Sequence, residues 1–133
     1  MKRKIFTIED KMFKTEPLFI VGCCRNQAVK YLKKRFNVKM DEEEEVSNGG
    51  SGATASVWHF KDTPYRVVWF KSFKKSSPED IGELAHELMH LVIRICEDKG
   101  ISLKANHPTT GEVLDEPPAY MIDFFISKFL EKI

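Results

Sequence analysis

The stretch Leu84-Ala85-His86-Glu87-Leu88-Met89-His90-Leu91-Val92 sets two histidines four residues apart, with a glutamate directly after the first. Four residues are just over one helical turn. On a helix the two imidazoles lie about 40° apart and can converge on one ion. Glu87 falls about 100° from His86, to the side of the pair, where a carboxylate can reach a metal-bound water without coordinating the metal. The chemistry implied is metal-assisted hydrolysis, with two neutral imidazole ligands and one carboxylate as general base. The pattern arises by chance in about one chain in a hundred of this length, so its setting has to decide.

A long helix is predicted around it. Ser76-Ser77-Pro78-Glu79-Asp80 is a start signal: a serine cap, a proline for the first turn, and acids beside the positive end of the dipole. Gly100 is a stop signal. Between them Ile81, Leu84, Leu88, Leu91, Val92 and Ile95 form one apolar stripe about 140–240° from His86. The stripe packs one way and the histidines point nearly the other.

A catalytic zinc site takes a third protein ligand. Downstream stand His107, Glu112, Asp115 and Glu116. The segment DEPPAYMIDFFISKFL reads as a last helix capped by Asp115, with Pro117 in its first turn. On it Glu116, Tyr120, Asp123 and Ser127 make a narrow polar stripe among apolar residues. Such a stripe is expected to be buried or half-buried and to need polar partners. Glu116 is the favoured third ligand, with His107 the alternative. Asp123 can accept from the outer nitrogen of a ligand histidine, and Tyr120 can donate to an oxyanion or close the pocket.

The remaining elements frame this helix. IFTIE (5–9) and PLFIVGC (17–23) read as strands. NQAVKYLKKRF (26–36) reads as a helix with Ala28, Val29, Leu32 and Phe36 inward and its lysines outward. Residues 41–56, DEEEEVSNGGSGATAS, are acidic and then Gly/Ser-rich, and are expected to be a mobile surface loop. SVWHFKD (56–62) and YRVVWFKSF (65–73) flank a Thr63-Pro64 turn and read as a hairpin. Trp58 and Trp69 are expected to pack, Trp69 with the alternative of lining the cleft; Cys96 is expected in the core and His59 on the surface.

The 133 residues, 42% hydrophobic with ten Phe, suffice for one domain with a real core. Cys23, Cys24 and Cys96 make no even framework, which points to a reducing compartment without structural disulfides. MKRKIFTIED has no apolar h-region, and no apolar run approaches a membrane span. A cytoplasmic protein is expected. Charge is uneven: residues 1–40 hold eleven Lys and Arg against three acids, residues 41–133 ten against seventeen. A solvated helix face accounts for the basic half more simply than a docking surface.

With HExxH at 86–90 and a glutamate in DEPPAY, the chain resembles the zincin metallopeptidases, in the gluzincin pattern. It also resembles small stand-alone HExxH proteins of phage and bacterial genomes. The resemblance rests mainly on 76–130. It implies a minimal zincin-like α+β domain over 1–133, with a small antiparallel or mixed sheet on an N-terminal helix, the HExxH helix and a C-terminal helix. It implies zinc (Zn2+) on His86, His90 and Glu116, water activation by Glu87, and a peptide or protein substrate. The strand from Tyr65 to Phe73 is then expected to be the sheet edge bordering the cleft, where an extended substrate adds by main-chain hydrogen bonds. Two departures stand out: 25 residues separate His90 from Glu116, and Leu91-Val92-Ile93 excludes the metzincin continuation. If phage-encoded, the protein would work in a bacterial host's cytoplasm. The other readings are a zincin-fold interaction protein without turnover, and a nucleic-acid-binding module using the basic N-terminal part. No oligomeric state follows from the sequence.

Overall fold

The computed structural model describes residues 2–37, 53–59, 66–101 and 116–133, with side chains in the last segment described from Pro118. The fold is α+β, a four-strand mixed sheet with three helices. In chain order the elements are β1 (Lys4–Thr7), β2 (Leu18–Val21), α1 (Arg25–Phe36), β3 (Ala55–His59), β4 (Arg66–Phe70), α2 (Pro78–Lys99) and α3 (Glu116–Lys132).

The sheet runs β1-β2-β4-β3, with β2 and β4 parallel and both outer pairs antiparallel. Its two central strands, LFIV and RVVWF, are buried at every position. A strand covered on both faces has no solvated side on which to alternate polar residues, so it reads as a continuous apolar run. On one face Leu18, Ile20, Val67 and Trp69 pack against Ala28, Val29 and Leu32 of α1. Trp58 stacks on Trp69 in this layer, and Trp69 Nε1 donates to the carbonyl of Cys23 over 2.9 Å. On the other face Phe19, Val21, Val68 and Phe70 pack against α2 and α3. Phe129 of α3 is the hub there, its ring 4.9–5.8 Å from those of Phe6, Phe19, Phe70 and Phe73.

The signals read for α2 are in place. Ser77 caps it by accepting from the Asp80 amide, Pro78 opens it, and Gly100 ends it in the left-handed region with its N–H returned to Cys96 and Glu97. Asp80 also accepts from the Lys74 amide. Leu84, Leu88, Leu91, Val92 and Ile95 are all buried, as their spacing predicts. Gly22, at φ +92°, lies so near the chain start that a Cβ would meet the Lys2 carbonyl at 2.9 Å.

Several expectations need correcting. β4, within the stretch read as the sheet edge, is interior; the edges are β1 and β3. A pattern of apolar residues cannot distinguish an edge from an interior strand when both faces are covered. Ala55, assigned to the loop, opens β3, and Ser56, read in both the loop and the strand, belongs to the strand; residues 41–52 of that loop lie outside the described residues, as does the 63–64 turn. The polar stripe of α3 is solvated: Tyr120, Asp123 and Ser127 are exposed, because α3 packs through Met121, Phe125 and Phe129 on the opposite side. His59 is half-buried rather than on the surface, with Nδ1 enclosed and without a hydrogen-bond partner among the described residues. Trp69 does not line a cleft; it is fully buried beneath α1. Cys96 is buried as expected, and the three cysteines are free thiols. Among the described residues no helix is long and apolar enough to cross a membrane.

Candidate metal centre

His86 and His90 stand on the outward face of α2, both exposed, with their Nε2 atoms 3.2 Å apart. The rings meet edge to face, centroids 4.8 Å apart and planes at 82°. Two nitrogens each about 2.05 Å from a tetrahedral ion are separated by about 3.3 Å. The pair therefore already has the spacing of two zinc ligands. A direct ring N–H to N hydrogen bond also suits this distance, but two exposed imidazoles have water for that purpose and gain little from each other.

Glu87 sits where the wheel puts it, at the margin of the apolar stripe. That position buries it: the residue is 9% exposed, the lowest value for a glutamate among the described residues. Burial pushes its carboxyl above the ordinary range, the neighbouring His86 works against that rise, and Glu83 adds to it. A carboxylate with raised proton affinity is a better general base near neutral pH than a solvated one.

Two residues to which the sequence reading gave no role belong to this neighbourhood. Glu83 stands one turn before Glu87, and its Oε2 accepts from Thr54 Oγ1 over 3.1 Å. The bond ties the start of the edge strand β3 to α2. The i, i+4 spacing of Glu83 and Glu87 was the available signal for Glu83. Thr54 gave none, since it fell in a stretch read as loop.

The other candidates are placed less closely. Tyr120 is 45% exposed on α3. Asp123 is exposed, and no hydrogen bond joins it to either imidazole. Glu116 opens α3, but its side chain lies outside the described residues, as do His107, Glu112 and Asp115 altogether. Among the described residues no group of three His, Cys, Asp or Glu side chains is placed to hold a metal. The structure thus brings together His86, His90 and Glu87, with Glu83 behind them. No protein-family model, curated protein or solved structure matches this chain.

Proposed function

We propose that this protein is a zinc-dependent hydrolase, a metallopeptidase of the zincin kind with the gluzincin ligand pattern. The observation that carries the reading is the 3.2 Å separation of the His86 and His90 Nε2 atoms, the separation that a shared tetrahedral ion requires. Glu116 completes the ligand set. Its place favours this: Glu116 opens α3, the helix that shares a core with α2.

A zinc ion in such a site polarises a carbonyl and lowers the pKa of a bound water. The chain's own part is positional. His86 and His90 present neutral nitrogens from a helix anchored by five buried aliphatic side chains. Glu87, about a quarter turn inward of their line, takes a proton from the attacking water and returns it to the leaving amine. Tyr120 is free to donate to the developing oxyanion. The edge strand β3, bound to α2 through Thr54 and Glu83, is where an extended peptide would add to the sheet by main-chain hydrogen bonds. The substrate is accordingly a peptide or an extended segment of a protein, met in the cytoplasm.

The test is metal content of protein purified without added zinc, together with peptide hydrolysis by the wild type and Glu87→Gln. About one zinc per chain in both, with hydrolysis only in the wild type, supports the reading. A metal-free wild type, or equal hydrolysis by both, refutes it.

A further inference from the structure

A cavity of about 420 Å³ lies at the C-terminal end of α2, away from the histidines. That is the size range of small-molecule sites. It is closed by the β1–β2 connection (Lys14, Thr15, Glu16), by Arg66 at the start of β4, and by Ile95, Asp98 and Lys99 from the last turns of α2. Asp98 is eight residues beyond His90, about 12 Å further along the helix, so this is not the histidine site.

Its hydrogen-bonding groups are unevenly satisfied. Arg66 is only 7% exposed. Its Nη2 is paired with Asp98, but its Nη1 is enclosed and has no hydrogen-bond partner among the described residues. A buried guanidinium N–H without an acceptor is costly, and native structures seldom keep one without use. Of the acids in the lining, Asp98 pairs with Arg66 through one oxygen and Glu16 accepts from the Thr7 hydroxyl at 2.9 Å. Lys14 Nζ makes no hydrogen bond or ion pair among the described residues, and Lys99 Nζ reaches only the Lys14 carbonyl at 3.4 Å. Three cations thus face two acids around one concave space, an excess of one positive charge.

We infer that this cavity binds a small phosphate-bearing molecule, with Arg66 Nη1, Lys14 and Lys99 donating to the phosphate. A tetrahedral oxyanion offers acceptors to all three at once, which a carboxylate with two oxygens does less well. Thr15 adds a hydroxyl donor at the wall. The cavity exceeds the size of a phosphate group and leaves room for an organic remainder.

The probes are inorganic phosphate and ribose 5-phosphate, with chloride at matched ionic strength as control. The readout is the NMR signal of the Arg66 guanidinium, which an anion held at His86 and His90 would leave unmoved. The expected result is a saturable shift with phosphate, a tighter one with ribose 5-phosphate, and none with chloride. Lys14→Gln/Lys99→Gln, at two exposed positions that leave the fold intact, weakens binding at least tenfold. Shifts that do not saturate, that chloride reproduces, or that the double variant retains overturn the assignment. Saturation by inorganic phosphate without preference for the ester keeps the anion site and removes the organic ligand.

Discussion

Thr54 Oγ1 donates to Glu83 Oε2 over 3.1 Å, joining the first residues of the edge strand to α2 one turn ahead of His86. Glu83 thereby has its charge fixed close to Glu87, whose carboxyl it helps to raise. Glu83→Gln keeps an acceptor for Thr54 and removes the charge. The Glu87 carboxyl, followed by NMR titration of the metal-free protein, should then titrate at lower pH, while Thr54→Val should leave its midpoint nearly unchanged. An unmoved midpoint in Glu83→Gln would show that the two carboxyls do not interact.

The histidine pair should behave as a unit. His86→Ala and His90→Ala should each abolish stoichiometric zinc binding, because a site left with two protein ligands loses most of its affinity. The third ligand is read from the same assay. Loss of zinc in Glu116→Ala with retention in His107→Ala supports Glu116, and the reverse pattern assigns His107.

Glu87 should cost the metal-free protein stability at neutral pH. Its folded pKa lies above the unfolded value because burial penalises the charged form. The folded state therefore binds the proton more tightly, and the stability linked to it is complete below the unfolded pKa of about 4.3 and lost as pH rises through the folded value. Glu87→Gln, neutral throughout, should melt at a higher temperature than wild type at pH 7. That advantage should shrink toward pH 4. Thermal melts of both proteins across that range decide it; a constant difference would point to packing instead of charge.

Phe129 joins α3 to the sheet through Phe6, Phe19 and Phe70, and to Phe73 just ahead of α2. Phe129→Ala should cost about 3–5 kcal/mol in urea unfolding, the range for removing a buried aromatic. Ser77→Ala, which removes the cap of α2, should cost about 1 kcal/mol. A loss at Phe129 no larger than at Ser77 would mean that α3 contributes little to the global core.

Thiol reactivity separates the cysteines. Cys23 and Cys96 are buried, and burial pushes both thiols up. Cys24, exposed at the cap of α1, should be the one labelled by an alkylating reagent at pH 8 in the folded protein. Labelling of all three at equal rates would show that the described core opens readily.

α2 was legible from the chain alone because its determinants are local. Ser77, Pro78 and Gly100 act on backbone groups within a turn of themselves, and a 3.6-residue period fixes which side chains share a face. The convergence of His86 and His90 follows from the same period. So does the packing side of α2, through the burial of Leu84, Leu88, Leu91 and Ile95. Strand identity was legible from β-branched and aromatic runs, and the two tryptophans from their size and apolarity.

Strand order was not legible, because β4 and β3 differ in what lies beside them and not in their own patterns. Only the pairing of β2 with β4 made β3 the edge. The exposure of Tyr120 and Asp123 was decided in the same way. It depends on how far α3 is rotated against its neighbours, and that rotation is set by the fit of Phe125, Phe129 and Met121 into the core rather than by the polar residues themselves. The buried Arg66 with its open Nη1 had no signal at all in the sequence. A charged residue in a strand reads as solvated until the tertiary structure closes a helix over it.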